Sequence, residues 1–155
     1  MPLSHFTLGP PTNKMTDKII QMLKRHEGER KFAYLDHLGY ETIGVGRCIK
    51  EGVGLGLSDD EIDYLLTNDI NRAIKELGRA FSWFSGLDEA RRDAMINLCF
   101  QLGLTKLLKF QNFLAEMAEG SYELAAPHLL DSLYARQTPA RANEIAEMII
   151  SGKYK

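Results

Sequence analysis

The stretch RHEGERKFAYLDHLGYETIGVGR, residues 25–47, contains the change of secondary structure that decides the fold. It begins in the last turn of a helix with an apolar stripe, and Gly28 stands where such a helix ends. Strand-forming side chains then replace the helical pattern, and Asp36-His37-Leu38-Gly39 is typical of a hairpin loop. In the second strand, residues 40, 42, 44 and 46 are expected to share one face, where two glycines leave room for an approach to the backbone. The stretch predicts a helix followed by a small β-hairpin.

Three polar residues of this stretch form a candidate catalytic set: Glu27, Asp36 and Thr42. Glu27 stands at the negative end of the helix dipole, where the field favours a protonated carboxyl group. Asp36 in the loop is expected to stay ionised, and the Thr42 hydroxyl is a candidate for holding a water molecule. One protonated and one ionised carboxyl group suit glycosidic bond cleavage. Spacing alone does not separate this chemistry from three ordinary polar residues.

The composition is that of a soluble globular protein with one domain, or one domain with a small lobe. The chain has 155 residues, 45% of them hydrophobic and 26% charged, and a formal net charge of −2. It has no basic stripe with interleaved aromatic residues, so nucleic acid is not an expected partner. No apolar run reaches the roughly 18 residues of a membrane span, and no signal peptide is expected. Cys48 and Cys99 lack the spacing of a zinc site and are expected to be free thiols, so neither metal nor cofactor is expected.

The rest of the chain is predicted to be mostly helical, in an α+β fold. Residues 1–14 contain Gly9-Pro10-Pro11 and are expected to be a disordered leader or tag. Thr16 is a predicted cap of the first helix. The folded domain is predicted at residues 15–152, with a small β lobe at about 29–57, a connecting helix at 58–79 and a helical lobe at 80–152.

Capping and stop signals divide the helical part further. A capping box at Ser58 predicts the start of the connecting helix, and Gly78 predicts its end. Further helices are predicted at about 88–103, 105–119 and 121–133, and from Thr138-Pro139 to Gly152.

Three separated motifs resemble the phage-type lysozymes, endolysin muramidases typified by the lysozyme of the T-even phages. EGERKFAYLDHLGYETIGVG, residues 27–46, resembles the catalytic segment of that family: Glu-Gly after the first helix, Asp nine residues later, Thr six further on, then Ile-Gly-x-Gly. LDEARRDAMINLCFQLG, residues 87–103, resembles the family's central buried helix. QTPARA, residues 137–142, resembles its turn into the last helix. The resemblance extends from about residue 15 to residue 152.

The resemblance implies a two-lobed fold in which a long helix joins a small sheet lobe to a helical lobe, with peptidoglycan bound in the cleft between them. It implies hydrolysis of the β-1,4 bond between N-acetylmuramic acid and N-acetylglucosamine, with inversion of configuration. By position, Glu27 would be the general acid, Asp36 the base or charge stabiliser, and Thr42 a holder of the water. Phe100 and Gln101 would line the cleft, and Arg141 would lie near Glu27.

The same resemblance implies a biological setting. The protein is expected to be a monomer that accumulates in the host cytoplasm until a holin opens the membrane and gives it access to the cell wall. Two other functions stay open: a chitinase-like glycosidase on the same scaffold, and a non-enzymatic wall-binding or phage structural module.

Several positions depart from the family pattern. His26 precedes the acid where the type member has Asp, and Arg47 stands where a His follows the second Gly. The segment from Cys48 to Ser58 is short, so the sheet lobe is expected to be small. The roles of Cys48, Phe113 and His128, which fall where the family places side chains against substrate, are left open.

Overall fold

The computed structural model describes residues 17–155. The predicted leader at residues 1–14 and the predicted cap at Thr16 lie outside the described residues. Contacts divide the chain into two compact units, with the boundary between Ile62 and Asp63. The α+β, predominantly helical fold class is confirmed, because the described part of the chain forms eight α-helices and one small antiparallel sheet. The finer division at residues 29–57, 58–79 and 80–152 stays a prediction.

The first unit contains the predicted helix and hairpin. Helix α1 (Asp17–Glu27) leads into strands β1 (Arg30–Leu35) and β2 (Glu41–Gly44), which pair antiparallel with Tyr34 opposite Thr42. A third strand, β3 (Arg47–Cys48), pairs with β2 and was not predicted. The expected single face of residues 40, 42, 44 and 46 is therefore wrong, since β2 ends at Gly44 and the chain turns back through residues 45 and 46.

The second unit is built from helices. A 3₁₀ turn at Phe84–Gly86 precedes α3, which is capped by the Asp88 side chain. Helix α2 (Asp59–Ala80) begins in the first unit and continues into the second. The other helices are α3 (Glu89–Leu102), α4 (Leu104–Leu107), α5 (Gln111–Glu119), α6 (Tyr122–Leu130), α7 (Leu133–Gln137) and α8 (Pro139–Ser151).

Three predicted helix boundaries differ from the observed ones. Helix α2 continues past Gly78 to Ala80, because buried side chains at Leu77 and Phe81 keep the chain packed for one more turn. The segment predicted at 105–119 is two helices, α4 and α5. The segment predicted at 121–133 ends at Leu130, since Ser132 starts a new helix by accepting a hydrogen bond from the backbone of Ala135.

The hydrophobic core lies in the second unit, where helices α2, α3, α5, α6 and α8 all contribute buried side chains. The largest fully buried ones include Leu77, Met95, Leu98, Phe113 and Leu129. Burial of this apolar surface is the main term that stabilises the unit. It also fixes α3, which carries Phe100 and Gln101 at its end. None of the helices within residues 17–155 has the length and apolar character to cross a membrane.

Candidate active site

The end of α1 places Glu27 as the sequence predicts. The last turn carries Lys24, Arg25 and His26, and the backbone of Gly28 closes the helix by donating to the carbonyl of Lys24 at 3.0 Å. Gly28 has a φ of +77°, which glycine adopts readily. The Glu27 side chain is exposed and sits at the negative end of the helix dipole.

Gly46 forms the surface against which the Glu27 carboxyl group lies. A Cβ atom built on Gly46 would stand 2.9 Å from Oε2 of Glu27 and 3.1 Å from its Cδ. Only a residue without a side chain leaves this space, and its φ of +69° adds a second reason for glycine. The sequence predicted an approach to the backbone at this position, and the group that approaches is the candidate acid itself.

Asp36 lies in the loop between β1 and β2, where it closes the hairpin. Its Oδ1 accepts hydrogen bonds from the backbone N–H groups of Leu38 and Tyr40, both at 2.9 Å. Such a turn is a common role for Asp in a loop. Within residues 17–155 no donor reaches Oδ2, so the orientation of the carboxylate is fixed through one oxygen while the other stays open to water.

Thr42 occupies the middle of the small sheet. It pairs with Tyr34 on β1 and with Cys48 on β3, and it is 3% exposed. Its hydroxyl donates its proton to the carbonyl of Tyr40 at 3.0 Å. Since a hydroxyl has one proton and two acceptor sites, Oγ1 is left to act as an acceptor.

An ion pair fixes the far side of the turn that contains Gly46. Both terminal nitrogens of Arg47 donate to the Glu61 carboxylate at 2.8 Å, and one also donates to the carbonyl of Gly56 at 3.1 Å. Glu61 in turn accepts from the backbone N–H of Ser58 at 2.9 Å, which is half of the predicted capping box. The Ser58 hydroxyl bonds to Asp60 instead. The first turn of α2 is thereby tied to β3.

The remaining predicted site residues belong to the second unit. Phe100 lies near the end of α3 and is 47% exposed. The Oε1 atom of Gln101 is buried without a hydrogen-bond partner in the described part of the chain. Arg141 donates from Nε to the side-chain oxygen of Asn97 at 2.8 Å. Burial raises the pKa of Tyr134, and the charge of Arg141 opposes that rise. The expected proximity of Arg141 to Glu27 stays a prediction.

The residues whose roles were left open occupy different surroundings. Phe113 is 1% exposed and packs in the core of the second unit. His128 lines a surface cavity of about 360 Å³ together with Lys109 and Asp131. Cys48 lies in β3, and the loop that contains Gly54 packs directly against it because glycine has no side chain. Across residues 17–155, no group of three or more His, Cys, Asp or Glu side chains has an arrangement that could hold a metal ion.

A family model described as phage lysozyme matches residues 24–141, more than half of the chain. The chain belongs to the phage lysozyme family. The recognition made from the three sequence motifs is confirmed, and membership supports a lysozyme-type glycoside hydrolase function.

Individual relatives agree with this assignment. Probable T4-type lysozyme 1 of Dictyostelium discoideum is 29% identical, over 89% of this chain and 96% of that protein. Probable T4-type lysozyme 2 of the same organism is 28% identical, over 91% of this chain and 98% of that protein. The pre-baseplate central spike protein Gp5 of Enterobacteria phage T4 is 27% identical over 92% of this chain, which matches 29% of its length.

Sequence reasoning overlooked two residues of the first unit. From the sequence, Arg47 is only a departure from the family pattern, and Glu61 is only the fourth residue of the capping box that starts at Ser58. No local signal joins them, because they lie on a two-residue strand and on a helix that begins after a loop. A lone Arg directly after the Gly-x-Gly turn, followed by an acidic first helical turn, is the one pattern that hints at this pair.

The ion pair makes a pH-dependent contribution to stability. Hydrogen bonds from Arg47 and from the backbone of Ser58 lower the pKa of Glu61 from 4.5 to about 2. A pKa lowered in the folded state gives stability that is present above the unfolded value and lost as pH falls through the folded value. Because the pair is exposed to water, we expect the thermal denaturation midpoints of the wild type and of Glu61→Gln to differ by only a small amount above pH 4.5. The two midpoints are expected to converge as pH falls toward about 2. A difference that stays constant down to the lowest pH would contradict this expectation.

Proposed function

We propose that the protein is an endolysin that hydrolyses the β-1,4 bond between N-acetylmuramic acid and N-acetylglucosamine in bacterial peptidoglycan and so lyses the host cell. Family membership supports the proposal, as do relatives named as probable lysozymes that this chain matches over 96% and 98% of their lengths. The order of Glu27, Asp36 and Thr42 along the helix and hairpin is the order that the family resemblance implies.

One observation supports the proposed catalytic roles: the Glu27 carboxyl group lies against Gly46, in the same unit as Asp36 and Thr42. In the proposed reaction, Glu27 donates its proton to the leaving glycosidic oxygen. Asp36 accepts a proton from the attacking water through Oδ2, the oxygen not used in the turn. Thr42 holds that water by accepting its other proton in a hydrogen bond at Oγ1, since its own proton is donated to Tyr40. A water attacking opposite the leaving group inverts the configuration.

Phe100, Gln101 and Arg141 are proposed to bind sugar, as the family resemblance implies. The exposed ring of Phe100 offers an apolar face to a pyranose, and apolar surface is what sugar rings present between their hydroxyls. The side-chain amide of Gln101 is proposed to bind a sugar hydroxyl or an acetamido group, because it has both a donor and an acceptor. Arg141 is held by Asn97, which leaves its terminal nitrogens as donors.

We extend the proposal to the setting that the family resemblance implies. The enzyme acts as a monomer, is held in the host cytoplasm, and reaches the wall after a holin opens the inner membrane. Co-expression with and without a holin tests this part, because lysis is expected only when both are present.

The hydrolysis is tested by the products from two glycans. Purified peptidoglycan treated with the wild type is expected to give new reducing ends that carry N-acetylmuramic acid, while chitin oligomers are expected to stay intact. Proton NMR of the fresh products is expected to show the α-anomer first, as inversion at a β-linkage requires. Cleavage of chitin and not of peptidoglycan would support the chitinase-like alternative. If the fresh product is the β-anomer, the reaction proceeds with retention of configuration and not with inversion.

The similarity to a central spike protein favours a second candidate, a cell-wall-degrading or wall-binding module of the phage particle. That protein's name places it in the central spike of a pre-baseplate, and this chain matches only a part of it. Binding to peptidoglycan without new reducing ends would favour a non-enzymatic module. Hydrolysis combined with release by a holin would favour the endolysin.

A further inference from the structure

The turn that contacts the candidate acid is short and needs support from outside the sheet. Strand β3 has two residues and pairs with β2 through Thr42 opposite Cys48 and Ile43 opposite Arg47. Two ladder positions give little resistance to shifts of the turn between them. Gly46, which lies against the Glu27 carboxyl group, immediately precedes this strand.

Arg47 supplies that support through partners outside the sheet. Its guanidinium forms two parallel hydrogen bonds to Glu61, each 2.8 Å long, and a third to the carbonyl of Gly56. A bidentate pair of this kind fixes orientation as well as distance. Glu61 is itself fixed, because it belongs to the first turn of α2 and accepts from the backbone of Ser58.

The ion pair is too exposed to be mainly a source of stability. The side chains of Arg47 and Glu61 are 39% and 35% exposed, and ion pairs accessible to water contribute little to the free energy of unfolding. Their geometry is nevertheless well defined, with three acceptor oxygens, two from Glu61 and one from Gly56, around one guanidinium. This combination is typical of a contact that sets a position.

We propose that Arg47 is a positioning residue for Glu27. By anchoring the Gly44-Val45-Gly46 turn to Glu61 at the start of α2, it keeps the backbone of Gly46 in contact with the Glu27 carboxyl group. The inference rests on the proposed function for its catalytic consequence, while its structural part stands on the contacts within the first unit. Arg47 touches no reacting atom. It acts through one residue, Gly46, and loosening the anchor lets the Glu27 carboxyl group leave the position from which it donates its proton.

The kinetic test uses soluble peptidoglycan oligosaccharides and the full chain. Arg47→Met and Glu61→Gln are each expected to lower kcat about tenfold with KM changed less than about twofold, because misplacing a catalytic group affects the transition state more than binding. The double variant is expected to be no slower than the slower single variant, since the two substitutions remove the same contact. Arg47→Lys is expected to be intermediate, because an ammonium group cannot form the two parallel bonds.

A matched control separates positioning from a general loss of charge or stability. Arg72 forms an exposed ion pair with Asp69 on the same helix α2, with the Arg side chain 68% exposed. Arg72→Met is expected to leave kcat unchanged. Circular dichroism at the assay temperature checks that each variant is folded, and a kcat loss that tracks the unfolded fraction would overturn the proposal.

A second readout does not depend on activity. The amide signal of Gly46 and the side-chain carboxyl signal of Glu27, followed by NMR, are expected to shift in Arg47→Lys and Glu61→Gln and to stay in place in Arg72→Met. If the wild type cleaves no glycan, the proposed function fails, yet these signals still decide whether Arg47 positions Gly46 and Glu27. Unchanged signals in both anchor variants would overturn the positioning role even in an active enzyme.

Discussion

Glu27→Gln is expected to lower the turnover of peptidoglycan by about 10²–10⁴-fold, which is the usual contribution of a general acid. Glutamine has nearly the same shape, but its amide N–H is not acidic enough to protonate the leaving oxygen. The fold is expected to be unaffected, since Glu27 is exposed and makes no hydrogen bond or ion pair among residues 17–155. Exposed substitutions of this kind change stability by about 0.5 kcal/mol or less. Turbidity loss and new reducing ends, measured on the same wall preparation, give the two rates.

Glu29→Gln is the matched control for this substitution. Glu29 lies two residues further on, is exposed, and forms an ion pair with Lys24 at 3.2 Å. The variant removes the same charge from the same segment and is expected to keep wild-type turnover. Equal rates for the wild type and Glu27→Gln would remove Glu27 from the chemistry. Equal losses in both variants would assign the effect to the charge of the segment and not to one carboxyl group.

Local signals along the chain were sufficient for the elements that carry the candidate site. The end of α1 at Glu27 follows from the glycine after it, and the hairpin loop at Asp36 follows from turn residues between two strand-forming runs. Each of these signals acts over a few residues, so it can be recognised without knowing the rest of the fold. The same holds for Asp88 at the start of α3, where a side chain caps the backbone three residues later.

Features that depend on distant partners could not be predicted in this way. Strand β3 is too short to show a periodicity, and it exists because β2 offers it a partner. The Arg47–Glu61 pair joins elements whose proximity no spacing rule indicates. The sequence predicts Gly46 on one face of a long strand, which is wrong because it lies in a turn. The prediction that a group approaches its backbone is nevertheless right. In each case the information lies in tertiary contacts within the first unit.

Gly46→Ala is expected to give the second large effect, and its size depends on where the added methyl group goes. The new Cβ would stand 2.9 Å from Oε2 and 3.2 Å from Cγ of Glu27, closer than nonbonded atoms settle. The obstructed group is the end of a flexible side chain, so Glu27 rotates away at little cost in stability. The acid then leaves its position, and activity is expected to fall tenfold or more, roughly the effect of a misplacement near 1 Å.

Gly44→Ala provides the control that separates this contact from backbone strain. Gly44 has a φ of +66°, close to the +69° of Gly46, but a Cβ there meets nothing within 4 Å. Both variants force alanine into the left-handed region, at a cost of about 1–2 kcal/mol. We therefore expect equal losses in the free energy of unfolding, measured by urea denaturation, but a kcat loss confined to Gly46→Ala. Equal kcat losses would mean that strain in the turn, and not contact with Glu27, governs activity. If Gly46→Ala keeps the wild-type kcat, the acid works from a position that does not involve Gly46.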